Sequence, residues 1–211
     1  MEELVYKTEG KNQYNIFWEH HLNGGGMFFG SEYPSIIQQL YPHRIFKNCL
    51  EWCAGPGFIG YNLLDHGLCE KIVFNDIYQP ALDISYRSAQ FNNLLDKVDF
   101  YCTGFIDQLP KSCKFDLVVG NPPHYDRPYI NNNSRIADDT NWEIHRQFYN
   151  NIGNYLTDDA IILLQEDEDG SKPEYFADMI IQSNLKLNRV IKSPNHYTTN
   201  PTMIYYIEVT K

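Results

Sequence analysis

Long apolar runs are missing from this sequence of 211 residues. No stretch approaches the roughly 20 consecutive apolar residues that a membrane-spanning helix needs. The N-terminal segment lacks the basic start and apolar run of a secretory signal. Internal repeats and linkers rich in proline or serine are missing as well. Because 43% of the residues are hydrophobic and 21% are charged, the composition is that of a globular domain, and we expect a cytoplasmic protein.

Positive charge is also scarce. The chain has 17 lysines and arginines against 27 aspartates and glutamates, which gives a formal net charge of −10. A field of this sign repels phosphate backbones and offers little counterion release on binding nucleic acid. A nucleic-acid partner is therefore disfavoured, although a local basic patch could act alone.

Paired cysteines of the CxxC kind, typical of zinc sites, do not occur either. The cysteines are odd in number and have apolar or glycine-rich neighbours, which favours small core residues in a reducing compartment over zinc ligands. We predict no metal site. The five are Cys49, Cys53, Cys69, Cys102 and Cys113.

From residue 47 onward, short apolar runs alternate with helical patterns, which is typical of a parallel sheet with helices on both faces. About a dozen residues, including two prolines, separate the last two strands, too few for a helical crossover, so these strands should form an antiparallel hairpin. We predict an α/β fold with a doubly wound, seven-stranded, mostly parallel sheet. The predicted strands are Asn48–Trp52, Lys71–Asn75, Val98–Cys102, Phe115–Val119, Ala160–Gln165, Leu187–Ile191 and Ile204–Val209, and the predicted helices lie near Ile59–His66, Pro80–Asn92, Trp142–Leu156 and Pro173–Ser183.

The first 46 residues leave little room for a second domain. We expect residues 1–46 to be a helical and lid-like segment and residues 47–211 to be the cofactor-binding domain of one compact protein. Tyr14–Leu22 places aromatic residues on one helical face, and a short helix is expected near Pro34–Leu40. Gly24–Gly30 is either a lid with an aromatic tip or a plain connecting loop.

A glycine-rich turn follows the first of these strands and opens a helix. Gly55 and Gly57 let the backbone turn tightly and approach a ligand, and the helix amides behind them can hold a carboxylate. Asp76 ends the second strand about twenty residues later, where a carboxylate can accept both hydroxyls of a ribose. A dinucleotide site shares this spacing, and Asp76 could instead cap the helix that begins at Pro80.

The most informative segment is Asn121-Pro122-Pro123-His124-Tyr125, which follows a buried apolar strand. Two consecutive prolines remove two backbone donors and stiffen the turn, so the Asn121 side chain and the Pro122 carbonyl point in fixed directions. Two fixed oxygens match the two hydrogens of a planar NH2 group. A neighbouring aromatic ring can stack on such an acceptor.

With these motifs in order, the chain resembles class I, Rossmann-like methyltransferases that use S-adenosylmethionine (SAM) and carry an Asn-Pro-Pro-aromatic motif. That group includes release-factor glutamine methyltransferases and nucleobase amino-group methyltransferases. The resemblance implies SAM as cofactor and S-adenosylhomocysteine as product. It implies acceptor-site roles for Asn121, Pro122, His124 and Tyr125, and cofactor contacts from Glu51, Cys53, Ala54, Gly55, Gly57, Asp76, Ile77, Gly104, Phe105 and Asn121.

Three positions depart from the family pattern. Cys53 stands where many members have the first glycine, and His124 stands where a tyrosine, phenylalanine or tryptophan is usual. In place of the acidic residue that often meets the adenine amino group, the third strand is followed by Gly104 and Phe105, and Phe105 could pack on the adenine ring. His124 either stacks in the active site or only bonds to the backbone.

The sequence predicts methyl transfer to a planar nitrogen, either a side-chain amide of a protein or peptide or an amino group of a small molecule. Nucleobase methylation on RNA or DNA is the alternative, and a non-catalytic SAM-binding partner subunit is a second one. Asp126–Asn141 and Asn195–Asn200 are expected to contact substrate or to be solvated loops. Glu166–Gly170 is interpreted as a solvated loop rather than a calcium site, because full ligand spacing is missing.

Overall fold

The computed structural model describes residues 4–22, 30–126, 137–193 and 204–211. The chain divides into two compact units, Met1–Gly104 and Phe105–Lys211. The domain boundary expected at residue 46 stays a prediction. No helix in the described ranges is both long enough and apolar enough to cross a lipid bilayer.

The first unit is built on three parallel strands in the order β5-β4-β3. Phe74 of β4 packs on Tyr61 of α2 and stacks on Phe100 of β5, which in turn meets Tyr86 of α3. Both helices therefore lie on the same face of these strands. The elements are β1 (Leu4–Lys7), β2 (Asn15–Trp18), α1 (Glu32–Leu40), β3 (Phe46–Trp52), α2 (Phe58–Asp65), β4 (Cys69–Asp76), α3 (Gln79–Phe91) and β5 (Val98–Cys102).

The helix predicted over Tyr14–Leu22 is wrong. Asn15–Trp18 is a strand that pairs antiparallel with β1, and its burial alternates along the strand. The Asn15 amide donates to the Asn92 side chain, and the Phe17 amide donates to Ser88. Tertiary hydrogen bonds to α3 and its C-terminal end thus support an extended conformation that aromatic spacing did not reveal.

The second unit contains four strands in the order β6-β7-β9-β8. β6 and β7 are parallel, whereas β9 runs antiparallel to both β7 and β8. The β6 and β9 strands are almost wholly buried, and β7 is buried from Ala160 to Glu166. The elements are β6 (Phe115–Gly120), α4 (Glu143–Ile152), β7 (Leu156–Asp167), α5 (Pro173–Gln182), β8 (Lys186–Lys192) and β9 (Ile204–Thr210).

The seven strands β3 to β9 belong to one mixed sheet of order β5-β4-β3-β6-β7-β9-β8. The predicted α/β fold class and the C-terminal antiparallel hairpin are confirmed, and each predicted strand is present within a few residues of its expected bounds. The interpretation of the five cysteines as core residues holds for two of them: Cys49 and Cys69 are buried, whereas Cys53 and Cys113 are half-buried and Cys102 is exposed.

Candidate active site

The glycine turn between β3 and α2 has three residues in the left-handed region of backbone space. Gly55 has φ +51° and Gly57 has φ +88°, and Cys53 adopts φ +55° although it carries a side chain. A Cβ on Gly57 would lie 2.8 Å from the Phe74 ring, so this position also requires glycine for space. The local conformation therefore explains why glycines occur here, and Cys53 adopts it at some cost in strain.

Asp76, the last residue of β4, is tied to this turn. Its Oδ2 accepts the Gly55 amide at 2.7 Å and its Oδ1 accepts the Tyr78 amide at 2.8 Å. Burial raises the pKa of the Asp76 carboxyl, and these backbone donors partly oppose that rise. Backbone amides thus orient both carboxylate oxygens, and lone pairs remain for further hydrogen bonds.

Glu51 is part of the support beneath the turn. Its side chain is buried, with Oε1 accepting the Ile59 amide at 3.3 Å and Oε2 accepting the Gly60 amide at 2.6 Å. Burial raises the pKa of the Glu51 carboxyl to about 8, against the lowering effect of the two amides. Glu51 therefore satisfies the N-terminal amides of α2.

Asn75 is a residue that sequence reasoning missed. Its Nδ2 donates to the Tyr101 carbonyl at 3.0 Å, the Thr103 carbonyl at 3.2 Å and the Thr103 hydroxyl at 2.8 Å. Ala54 is buried, and its amide donates to the Asn75 carbonyl. One side chain next to Asp76 thus fixes the end of β5 and the start of the following loop.

Apolar side chains are exposed after these strand ends. Ile77 is 76% exposed and follows Asp76 directly. A Cβ on Gly104 would lie 3.2 Å from the Ile77 side chain, so glycine keeps this edge open. In the second unit, Phe105 is 47% exposed.

The Asn121–Tyr125 segment follows the buried strand β6 and is anchored through its main chain. The amides of His124 and Tyr125 both donate to the Ala137 carbonyl, at 3.1 and 3.0 Å. The Asp139 amide in turn donates to the Tyr125 carbonyl at 2.7 Å. These bonds join residues 137–139 to the acceptor motif and fix the position of its last two residues.

A buried network of charged side chains lies behind His124. His124 Nδ1 is 3.3 Å from Glu166 Oε2, His145 Nε2 is 2.9 Å from Glu166 Oε1, and His145 Nδ1 is 2.6 Å from Asp139 Oδ2. The side chains of Asp139, His145 and Glu166 are fully buried, and the His124 side chain is 12% exposed. Ser171 also donates its hydroxyl to Glu166 Oε2.

Charge pairing dominates this network. Burial disfavours the charged form of His145, but Glu166 and Asp139 outweigh it and raise the pKa of His145 to about 9. Burial alone would raise the pKa of the Glu166 carboxyl, but the charge of His145 lowers it overall. At neutral pH the network therefore consists of an imidazolium held by two carboxylates.

The interpretation of Glu166–Gly170 as a solvated loop is wrong at its first residue, and its last residue packs against the acceptor motif. Glu166 is 0% exposed, and a Cβ on Gly170 would press on the His124 carbonyl and lie 2.7 Å from the Tyr125 ring. Tyr125 donates its hydroxyl to Asp167 at 3.4 Å. Nothing in the run of acidic residues at this strand end predicted such packing from the sequence.

Several predicted site segments cannot be compared with the structure. Most of Gly24–Gly30, most of Asp126–Asn141 and all of Asn195–Asn200 lie outside the described residues. Among the residues that the structure does describe, no group of three or more histidine, cysteine, aspartate or glutamate side chains is arranged to hold a metal ion.

Comparison with known proteins places this geometry in a family context. The release factor glutamine methyltransferase of Francisella tularensis is 34% identical over 68 residues, or 32% of this chain and 23% of that protein. The enzyme of the same name from Clostridium acetobutylicum is 29% identical over 80 residues, or 37% of this chain and 28% of that protein. The matched segments thus span well under a third of these curated relatives.

A solved structure extends the similarity to most of the chain at the level of fold. The SAM-dependent methyltransferase from Clostridium acetobutylicum has a TM-score of 0.63 and 12% identity, covering 87% of this chain and 91% of that one. A family model described as the methyltransferase small domain matches residues 15–140, a range that contains both the glycine turn and the acceptor motif. The chain belongs to the methyltransferase small domain family.

Proposed function

We propose that this chain is a SAM-dependent N-methyltransferase whose acceptor is a planar nitrogen, either a side-chain amide of a protein or peptide or an amino group of a small molecule. One observation carries the proposal. The Asn121–Tyr125 turn follows a buried strand, and its His124 and Tyr125 amides are fixed on the Ala137 carbonyl. A turn held in this way can present side-chain and carbonyl oxygens in constant directions, which recognition of an NH2 group requires.

The cofactor is S-adenosylmethionine, and the residues around Asp76 fit it. Both Asp76 oxygens are oriented by the Gly55 and Tyr78 amides and can each accept one ribose hydroxyl. The exposed Ile77 and Phe105 side chains are suited to the flat adenine ring. When bound, the cofactor supplies a methyl group activated by a sulfonium. The proposed cofactor residues are Glu51, Cys53, Ala54, Gly55, Gly57, Asp76, Ile77, Gly104, Phe105 and Asn121, and Glu51 acts from beneath the turn through its bonds to α2.

The acceptor residues position the acceptor nitrogen and stabilise its developing charge. The Asn121 side-chain oxygen and the Pro122 carbonyl accept the two hydrogens of the acceptor nitrogen and stabilise the positive charge that develops on it. Tyr125 provides a flat surface beside it, and the ring of His124 borders the same nitrogen. Holding both reactants in line contributes on the order of 7–11 kcal/mol in favourable cases.

An amide of a protein or peptide fits the chain better than a polynucleotide does. The formal net charge of −10 disfavours a phosphate backbone. The names of the Francisella and Clostridium relatives refer to glutamine in a release factor, and we extend only the acceptor chemistry, a glutamine side-chain amide, to this chain. Methylation of a nucleobase and a silent SAM-binding subunit are the outcomes that would replace the proposal.

The first experiment measures transfer of a tritiated methyl group from SAM to defined acceptors. A peptide with one glutamine, free glutamine, adenosine and a short RNA distinguish amide, metabolite and nucleobase substrates. Transfer to the glutamine peptide is expected, with the label recovered on the side-chain nitrogen. Label on adenosine or RNA alone would establish the nucleobase alternative, and calorimetric uptake of SAM without transfer to any acceptor would favour the silent subunit.

A second experiment separates acceptor chemistry from cofactor binding. Asn121→Ala should abolish transfer while lowering SAM affinity far less than a change at Asp76, because the deleted amide chiefly binds the acceptor. Asp76→Asn should raise the SAM dissociation constant on the order of 10²-fold, since a charged acceptor of two hydrogen bonds is lost. Asp99→Asn changes an exposed carboxylate of the neighbouring strand β5 and is the control. Equal losses of affinity in the variants of Asn121 and Asp76 would contradict the assigned roles.

A further inference from the structure

The buried network behind the acceptor motif makes more hydrogen bonds than would be needed to hold an aromatic ring for stacking alone. Glu166 collects donors from three directions: Ser171 and His124 at Oε2 and His145 at Oε1. His145 is held in turn by Asp139, whose oxygens also accept the Ile144 and His145 amides at 2.8 and 3.1 Å. The network thus runs from the start of α4, across the end of β7, to one edge of the His124 ring.

The packing leaves this network little freedom to rearrange. The His145 ring stacks on Phe176 at 4.5 Å, and Trp142 meets both rings edge-on. Ser171 Oγ lies 2.9 Å from the Tyr205 hydroxyl, which fixes the remaining edge of Glu166. A ring in van der Waals contact with fully buried aromatic side chains cannot reorient without opening a cavity.

These contacts determine which nitrogen of His124 carries a hydrogen. Glu166 is ionised because His145 pairs with it, so its oxygens can only accept hydrogen bonds. The His124 nitrogen that faces Glu166 is Nδ1, and it must therefore be the donor. In neutral imidazole one nitrogen carries the hydrogen and the other a lone pair, so the lone pair of His124 lies on Nε2, away from Glu166.

We propose that Asp139, His145 and Glu166 act as positioning residues that hold His124 in the Nδ1–H tautomer, so that the lone pair of its Nε2 faces the methyl acceptor and takes the proton that nitrogen releases. The proposal rests on the proposed function. As the nitrogen–methyl bond forms and the sulfur–methyl bond breaks, sulfur keeps the electron pair and the acceptor nitrogen must lose one hydrogen. After transfer the nitrogen carries a positive charge and its two original hydrogens; one of them leaves the Pro122 carbonyl, passes to His124 Nε2 as a proton and goes from there to solvent.

A readout independent of activity tests the tautomer. In protein labelled with ¹⁵N-histidine, long-range proton–nitrogen correlation spectra distinguish a protonated ring nitrogen from a bare one. In the neutral ring of His124 we expect protonated Nδ1 and bare Nε2. The spectrum of His124→Gln assigns the signals. Bare Nδ1 and protonated Nε2 in the wild type would overturn the proposal.

Glu166→Gln tests whether the Glu166 carboxylate determines the tautomer of His124. The new side-chain oxygen can still accept from His145, which directs the NH2 group toward Nδ1 of His124 as a donor. The expected result is inversion of the His124 tautomer. Tyr205→Phe removes another buried hydroxyl of the network, bonded to Ser171 and not to Glu166, and should leave the tautomer unchanged. An unaltered tautomer in Glu166→Gln would show that Glu166 does not position His124.

Methyl transfer to the glutamine peptide then tests the proton step. His124→Phe keeps a flat ring and removes the acceptor nitrogen, so kcat should fall on the order of 10²-fold with little change in KM. Full activity of His124→Phe would show that the ring only stacks, and would overturn the proton-accepting role. Lack of transfer to every acceptor would instead count against the proposed function, and the tautomer spectra would still decide the positioning role.

Discussion

Two buried glutamates near the carboxyl ends of strands, one in each unit, are held in opposite ways. Glu51 in β3 is bonded to the backbone amides of α2, and burial raises the pKa of its carboxyl to about 8. Glu166 in β7 is bonded to His124 and His145, and the charge of His145 lowers the pKa of its carboxyl. The same side chain is thus mostly neutral in one unit and ionised in the other.

The difference shows that burial does not by itself determine the charge of a carboxyl group. Two amide dipoles orient Glu51 but do not compensate fully for lost hydration, whereas one imidazolium does so for Glu166. A neutral carboxyl suits a purely structural role under the cofactor turn. An ionised one can accept a hydrogen bond from His124 and fix its tautomer.

Removing the His145 charge that pairs with Glu166 should give the largest change in the free energy of unfolding. His145→Leu leaves Glu166 and Asp139 buried without their cation, which we expect to lower the free energy of unfolding by about 3–5 kcal/mol. Urea unfolding followed by circular dichroism measures the change. His66→Leu alters a partly exposed histidine at the end of α2 and should cost far less. Similar losses in the two variants would mean that ring volume, rather than charge, stabilises the network.

The raised pKa of Glu51 should make the free energy of unfolding depend on pH by a few kcal/mol. The Glu51 carboxyl keeps its proton in the folded state up to about pH 8 but loses it near 4.5 when unfolded. The unfolded state therefore binds fewer protons across this window, and stability falls as pH rises, by up to about 1.4 kcal/mol per unit.

Glu51→Gln removes this titration and resembles the neutral carboxyl in shape. The difference in unfolding free energy between the variant and the wild type should grow from about pH 4.5 to about pH 8 in favour of the variant. The comparison must be differential, because the raised pKa of His145 also lowers wild-type stability between about pH 6.5 and about pH 9. Parallel pH profiles would show that Glu51 is already ionised in the folded protein.

The sequence predicted well what depends on local pattern. Strand alternation and the short final connection predicted the sheet and its antiparallel hairpin, and glycine spacing with Asp76 predicted a turn whose Gly55 amide does bond to Asp76. The aromatic run after Tyr14 failed because hydrogen bonds to Ser88 and Asn92, distant in sequence, support a strand.

The buried network could not be predicted because its members are far apart in the chain and look ordinary. Glu166 stands in an acidic run that suggests a solvated loop, and His145 lies within an amphipathic helix. Only folding brings His145 Nε2 within 2.9 Å of Glu166. The unusual His124 in the acceptor motif was the one sequence signal that a polar partner was needed behind it.

One glycine in each unit is required for a different reason, the first for its backbone conformation and the second for space. Gly55 needs its left-handed conformation, yet among the described residues a Cβ there would meet just the Leu22 carbonyl, at 3.8 Å. Gly170 needs space, because a Cβ would press on the His124 carbonyl and the Tyr125 ring. Gly170→Ala should therefore displace the acceptor motif and cost about 1–3 kcal/mol in unfolding free energy.

The Gly170→Ala variant should also lower kcat for methyl transfer while leaving SAM affinity unchanged, because the displaced groups belong to the acceptor side. Gly153→Ala is the matched control, since its Cβ would meet no atom of the described residues within 4 Å and its φ is −53°. That change should be neutral or slightly stabilising, because alanine restricts the unfolded chain more than glycine does. If Gly170→Ala behaved like its control, the turn after β7 would be able to adjust to the added methyl group. The backbone of His124 would then not be held rigidly, and the position of its ring relative to Glu166 would not be fixed.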